Sequence, residues 1–157
     1  MELNYNIYLE RAENEIKIAD ISYFVSENKK IQKDKFRIEK PDTFYSAVIS
    51  HSYYCIFYCA KAYLSKKGIK IKAPEEHKKT YEKFKKLALK GIVDRELLKI
   101  YSDAIIKADN LLNIFKSERK KRGIFTYQKL SQANKLPAKE SLENSKLFFK
   151  IIYNLLK

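Results

Sequence analysis

From Phe44 to Leu64 the chain is apolar at almost every position, including Val48, Ile49, Tyr53, Tyr54, Cys55, Ile56, Phe57, Tyr58, Cys59, Ala60, Ala62, Tyr63 and Leu64. A helix that is apolar on nearly every face has to be surrounded by other elements. Residues 43–65 are therefore predicted to form the central helix of a bundle, starting after Pro41-Asp42-Thr43 and stopped by Gly68. With only 3 Gly and 3 Pro in 157 residues, the chain lacks the turn chemistry of a many-stranded sheet protein.

Other segments repeat the helical period. Residues 3–27 place Leu3, Ile7, Ala12, Ile16, Ala19 and Tyr23 on a stripe, with acids on the opposite face. Residues 28–40 are polar and basic and read as a surface connection. Pro74 with Glu75-Glu76 opens a shorter basic helix that runs to about Lys90, where Gly91 terminates it. Residues 93–118 carry Leu97, Leu98, Tyr101, Ile105, Ala108, Leu111, Leu112 and Phe115. Pro137 introduces a last helix with Leu142, Phe148, Phe149, Ile152, Tyr153 and Leu156 inward. The expectation is an all-α fold in a single domain, residues 1–157: an antiparallel four-helix up-and-down bundle with one additional short helix.

Net charge is +14 and it is segregated. Residues 66–90 hold ten Lys against three Glu, and residues 116–129 hold six cations against Glu118. Residues 1–28 instead carry six acids against Arg11 and Lys17. This asymmetry fits a polyanion meeting one surface. Lys outnumbers Arg 28 to 5, however, and a Lys-rich surface is also an adaptation seen in proteins from hot environments. No segment reaches about 18 consecutive apolar residues. Met1 to Asn6 lacks the basic start and apolar run of a signal peptide. A cytoplasmic protein is expected.

Catalytic motifs are scarce. There is no Gly-x-Ser-x-Gly and no Gly-rich phosphate loop, so nothing calls for a cofactor. His51, Cys55 and Cys59 are spaced like ligands. Residues eight apart on a helix rise about 12 Å, however, so the three cannot share one ion, and no metal site is expected. Cys55 and Cys59 read as small buried apolar residues, because a disulfide within a regular helix has poor geometry. The stretch from Ser117 to Tyr127 contains Arg119 and Arg122, two of the five arginines, flanking Lys120 and Lys121. Arg pairs bidentately with phosphate. The alternative is a solvated helix end whose cations oppose the helix dipole.

Residues 45–64, with the Tyr53-Tyr54 pair and Cys55 in place of the usual Ala, resemble the second helix of the HEPN family (higher eukaryotes and prokaryotes nucleotide-binding domain). His51 stands where that family often carries Arg. His77 matches a His commonly found at the opening of its third helix. Arg119 to Tyr127 is similar to its basic turn, and residues 138–153 to its closing helix. Many HEPN proteins are metal-independent ribonucleases that use an Arg, four to six residues and a His, shared across a dimer interface. Here Arg122 is followed after four residues by Tyr127. Free Tyr, with a pKa near ~10, is a poor base at neutrality.

The resemblance thus implies a nucleotide- or RNA-binding protein with Arg119, Lys120, Lys121, Arg122 and Tyr127 at the anion site. It also implies a homodimer and a minimal nucleotidyltransferase as partner, in a toxin–antitoxin-like pair. Two alternatives stand beside it. One is a divergent metal-independent endoribonuclease using Arg122 and Tyr127, and the other is a non-catalytic helical interaction protein.

Overall fold

The computed structural model describes residues 4–120 and 135–157, with side-chain surroundings given as far as Leu111 and from Lys135 onward. Six helices follow in order among these residues: α1 (Tyr5–Glu27), α2 (Lys29–Phe36), α3 (Tyr45–Lys66), α4 (Glu76–Leu89), α5 (Arg95–Lys120) and α6 (Lys135–Leu156). No strand occurs among the described residues, so the all-α expectation holds.

Helix α3 lies at the centre, packed against α1, α4, α5 and α6. Its partnership with α1 is the most extensive, and small residues explain it. Ala12 and Ala19 of α1 are fully buried, and a methyl group lets the two helices approach closely. The interior divides into two clusters. The larger gathers Cys55, Ile56, Cys59, Ala60 and Tyr63 of α3 with Phe84 of α4, Leu97 and Tyr101 of α5, and Phe148 and Ile152 of α6. The smaller holds Ala19, Tyr45, Val48, Ile49, Leu111, Ala138 and Leu142. Phe84, Tyr101 and Phe148 interlock at ring-centre distances of 5.7, 5.7 and 6.1 Å. Each such buried apolar side chain contributes roughly 1.5–3 kcal/mol.

Two helix ends are made by the glycines that the sequence marks. Gly68 (φ 76°) and Gly91 (φ 73°) adopt the left-handed conformation. The following N–H groups, of Ile69 and Ile92, turn back to donate to Leu64 O and Leu87 O at 2.9 Å each. Pro137 sits in the first turn of α6, where its missing N–H has no partner to lose.

Other expectations need correction. Ile7 is 48% exposed; the inward stripe of α1 keeps the expected Ala12 and Ala19, with Ile16 and Tyr23 beside the core, and adds Leu9 and Ser26. Tyr153 of α6 faces outward, where it stacks on Phe149 at 5.7 Å with Lys157 Nζ 4.2 Å over its ring. The expected surface connection 28–40 contains helix α2, which makes two short helices rather than one beside the four long ones.

Helix α2 escapes an apolar pattern search because a polar side chain anchors it. Gln32 is fully buried. Its Nε2 donates to Val25 O (2.7 Å) and Asp42 O (2.8 Å), and its Oε1 accepts from Asp42 N (2.8 Å). One amide thus ties the end of α1 to the entrance of α3. Ser26 Oγ adds a second tie by accepting from Phe44 N at 2.7 Å. Replacing Gln32 by Ala removes three hydrogen bonds, strips Asp42 N and O of this partner, and should cost about 2 kcal/mol in chemical denaturation. Replacing exposed Lys30 by Ala on the same helix should change stability by less than about 0.5 kcal/mol. Equal effects would contradict the anchoring role of Gln32.

Candidate functional site

The outward edge of α3 carries an aromatic row that the core does not consume. Phe57 is 4% exposed, whereas Tyr53 and Tyr58 are half-buried and Tyr54 is exposed. The first turn of α4 sets His77 against this row. Its imidazole lies parallel to the Phe57 ring, with centroids 3.9 Å apart and 9° between planes. Tyr53 lies alongside at 5.8 Å, and Tyr54 meets His77 edge-on at 5.7 Å. The Tyr53 hydroxyl and His77 Nδ1 share a hydrogen bond of 2.8 Å.

An ion pair fixes the start of α4 at this place. Lys61 Nζ donates to Glu76 Oε2 at 2.7 Å and sits 4.7 Å over the Tyr8 ring and 5.5 Å from the centre of Phe57. The Lys61 ammonium holds the Glu76 carboxyl below the usual carboxylate range. Packing against the aromatic row draws the His77 imidazole below its ordinary pKa; Glu76 opposes this shift and Lys61 adds to it. The Tyr53 hydroxyl is pushed up to about 12, first by burial and then by Tyr54 and Asp109. Tyr53 therefore stays protonated at any physiological pH.

The Tyr53–His77 pair divides two grooves. The larger, about 530 Å³, lies between α3 and α5, and Ser46, Ser50, Tyr53, Tyr54, Ile105 and Asp109 form much of its lining. The second, about 400 Å³, runs along α4 past His77, Lys78 and Tyr81 to Ser102 of α5. Both fall within the size range of small-ligand sites, roughly 300–1,000 Å³. Beyond them α4 is a ridge of exposed lysines, Lys78, Lys83, Lys85, Lys86 and Lys90, over an inner face of Thr80, Phe84 and Ala88.

Of the basic stretch singled out in the sequence, only the start falls among the described residues. Arg119 and Lys120 fall in the last turn of α5, and nothing of their side chains is described. Lys121, Arg122 and Tyr127 lie outside the described residues. His51 does not join the aromatic row; its Nδ1 contacts Glu15 Oε2 of α1. Cys55 and Cys59 are free and fully buried, and burial pushes the Cys59 thiol well up. Among the described residues no group of three or more His, Cys, Asp or Glu is arranged to hold a metal ion.

Sequence comparison decides the lineage of this bundle. A family model described as HEPN domain matches residues 5–155, nearly the whole chain. The chain belongs to the HEPN family. No curated protein and no solved structure gave a match. The Tyr53-Tyr54 pair and His77 sit on separate helices in sequence, and the fold joins them through the Tyr53–His77 hydrogen bond and stack and the edge-on contact of Tyr54.

Sequence reasoning missed Asp109. It lies four residues after Ile105 on an otherwise apolar face of α5, and a charge interrupting such a stripe was the available signal.

The geometry at His77 has a pH consequence. The folded protein holds this imidazole below its unfolded pKa of about 6.5, so folding favours the neutral ring. Its contribution to stability is complete above that pH and falls as pH drops towards the folded value. An NMR titration should give a His77 midpoint below that of a free imidazole. Phe57→Leu should raise it by removing the stacked ring. A midpoint unmoved from the free value in the parent protein would refute this account.

Proposed function

We propose that this HEPN protein binds RNA or nucleotides through the face formed by α3, α4 and α5. The observation that carries this reading is the adjacency of partly exposed aromatic surface and cationic surface. Tyr53, Tyr54 and His77 border two grooves, and the lysine ridge of α4 begins one residue after His77. Aromatic platforms next to a basic track are what single-stranded nucleic acid requires: rings to stack on bases and charges to follow phosphates. Many of the chain's acids are gathered instead on α1. Three of them pair with other helices, Asp20 with Lys146 at 2.8 Å, Glu27 with Lys135 at 3.1 Å and Glu15 with His51.

Several finer features belong to the same proposal. The four long helices form an antiparallel up-and-down bundle with the short ones appended. Two copies associate as a homodimer, since two-fold association is the commonest oligomer. Arg119, Lys120, Lys121, Arg122 and Tyr127 supply a phosphate-binding stretch, with a minimal nucleotidyltransferase as partner in a toxin–antitoxin-like pair. The protein works in the cytoplasm. Among the described residues no helix is long and apolar enough to cross a membrane.

One observation favours a second reading, a divergent metal-independent endoribonuclease. His77 borders both grooves, and burial draws its imidazole below the ordinary pKa, so it could serve as base in place of the motif His that the chain lacks. Incubating labelled RNA with the protein in the presence of a chelator tests it. Cleavage that disappears in His77→Gln supports it, and intact RNA eliminates it.

Binding itself should fall steeply as salt rises, because each neutralised phosphate releases counterions. Arg122→Ala should weaken RNA affinity more than Lys86→Ala, since a bidentate contact is lost rather than one diffuse charge. Equal losses would remove Arg122 from the site. No RNA binding by the parent protein at low salt would leave the chain as a helical interaction protein.

A further inference from the structure

We propose that the groove between α3 and α5 takes a single unstacked guanine base, stacked on Tyr54 and read along its Watson–Crick edge by the Asp109 carboxylate. The inference rests on the RNA- or nucleotide-binding reading and names the base this site selects.

The walls of the groove differ in chemistry. The α3 wall presents the rings of Tyr53 and Tyr54 with the hydroxyls of Ser46 and Ser50, and the α5 wall presents Ile105, Ala108, Leu111 and Asp109. Tyr54 is 39% exposed, which leaves ring surface open to a ligand. Tyr53 is held edge-to-face against it at 5.6 Å, and its hydroxyl is occupied by His77, so the platform is set before anything binds. A flat aromatic ligand fits a slot with an aromatic wall and an aliphatic one.

Asp109 then chooses among flat ligands. An ionised carboxylate only accepts hydrogen bonds, and its two oxygens suit a pair of neighbouring donors. Guanine alone among the four RNA bases offers such a pair, the N1–H and the N2 amino group. Adenine sets the N1 lone pair beside its N6 amino group, and cytosine sets the N3 lone pair beside its N4 amino group. Uracil flanks its N3–H with two carbonyl oxygens. Each of these three would direct a lone pair at a negative carboxylate. The hydroxyls of Ser46 and Ser50 are donors of the type that guanine O6 and N7 accept. Asp109 lies near enough for its charge to raise the Tyr53 hydroxyl, so that hydroxyl remains neutral and adds no second negative charge to the slot.

The adjoining groove accounts for the backbone. A nucleotide with its base between α3 and α5 would pass its phosphate over the Tyr53–His77 divider towards Lys78 on α4. The affinity of that phosphate is independent of base, so base selection and phosphate attraction are separable.

Calorimetric titration of the full chain with GMP, IMP, AMP, CMP and UMP tests the inference. GMP should bind most tightly. IMP, which lacks only the 2-amino group, should bind about tenfold more weakly, and the other three weaker still. Asp109→Asn should abolish the preference for GMP over AMP. Tyr54→Ala should weaken GMP about tenfold through lost stacking, whereas Tyr54→Phe, which keeps the ring, should retain binding. Equal affinity for all five nucleotides would overturn the proposal, as would a GMP preference that survives Asp109→Asn. A parallel titration with a uridine-only oligonucleotide separates the two levels of the argument. Salt-dependent binding of that oligonucleotide without any GMP preference sinks the guanine site alone, whereas no binding of oligonucleotide or nucleotide sinks both.

Discussion

The close seating of α1 on α3 is the contact from which the remaining arrangement follows. Two fully buried alanines, Ala12 and Ala19, let the central helix approach α1 along much of its length. Helix α3 is apolar nearly all round, so closing one side against α1 directs its other sides to α4, α5 and α6. The aromatic row at Tyr53, Tyr54 and Tyr58 lies where this enclosure ends. A larger residue at Ala12 or Ala19 would wedge the pair apart and disturb every contact that α3 makes elsewhere.

Polar side chains supply the joints that apolar packing cannot specify. Gln32 and Ser26 fix the turn from α1 into α3. The Tyr45 hydroxyl donates to the Glu27 carboxylate, which the bond holds below its ordinary range, and Lys135 brings the start of α6 to the same carboxylate. Glu27 thereby joins α1, α3 and α6 at one end of the bundle. At the other side, Lys61 and Glu76 join α3 to α4. These pairs are half-exposed, so their net contribution to stability is modest, and their main effect is to fix position.

Much of this architecture can be read in the sequence. The all-round apolarity of residues 44–64, the terminators Gly68 and Gly91, and the stripe containing Leu97, Tyr101, Phe148 and Ile152 each carry a local signal that the fold obeys. Helix α2 has no such signal, because its one buried side chain is an amide whose partners lie in other segments. Ile7 and Tyr153 fit a stripe by spacing yet face outward, since spacing cannot say where the stripe's centre lies. The site is legible only in part. The resemblance drew attention to Tyr53, Tyr54 and His77 one by one, but their hydrogen bond and stacking, and the approach of Asp109 from α5, depend on tertiary placement. The Arg-rich stretch was conspicuous by composition and lies apart from this groove in sequence.

Phe57 is itself buried, and its ring carries His77 on one face with Tyr58 and Lys61 close by. The wall between the two grooves therefore stands on a buried side chain of the central helix. A substitution that repacks the middle of α3 would shift the imidazole as well, so the shape of both grooves follows the packing of the central helix. A homologue with a smaller side chain at this position would need a different residue at the start of α4 to keep the wall standing.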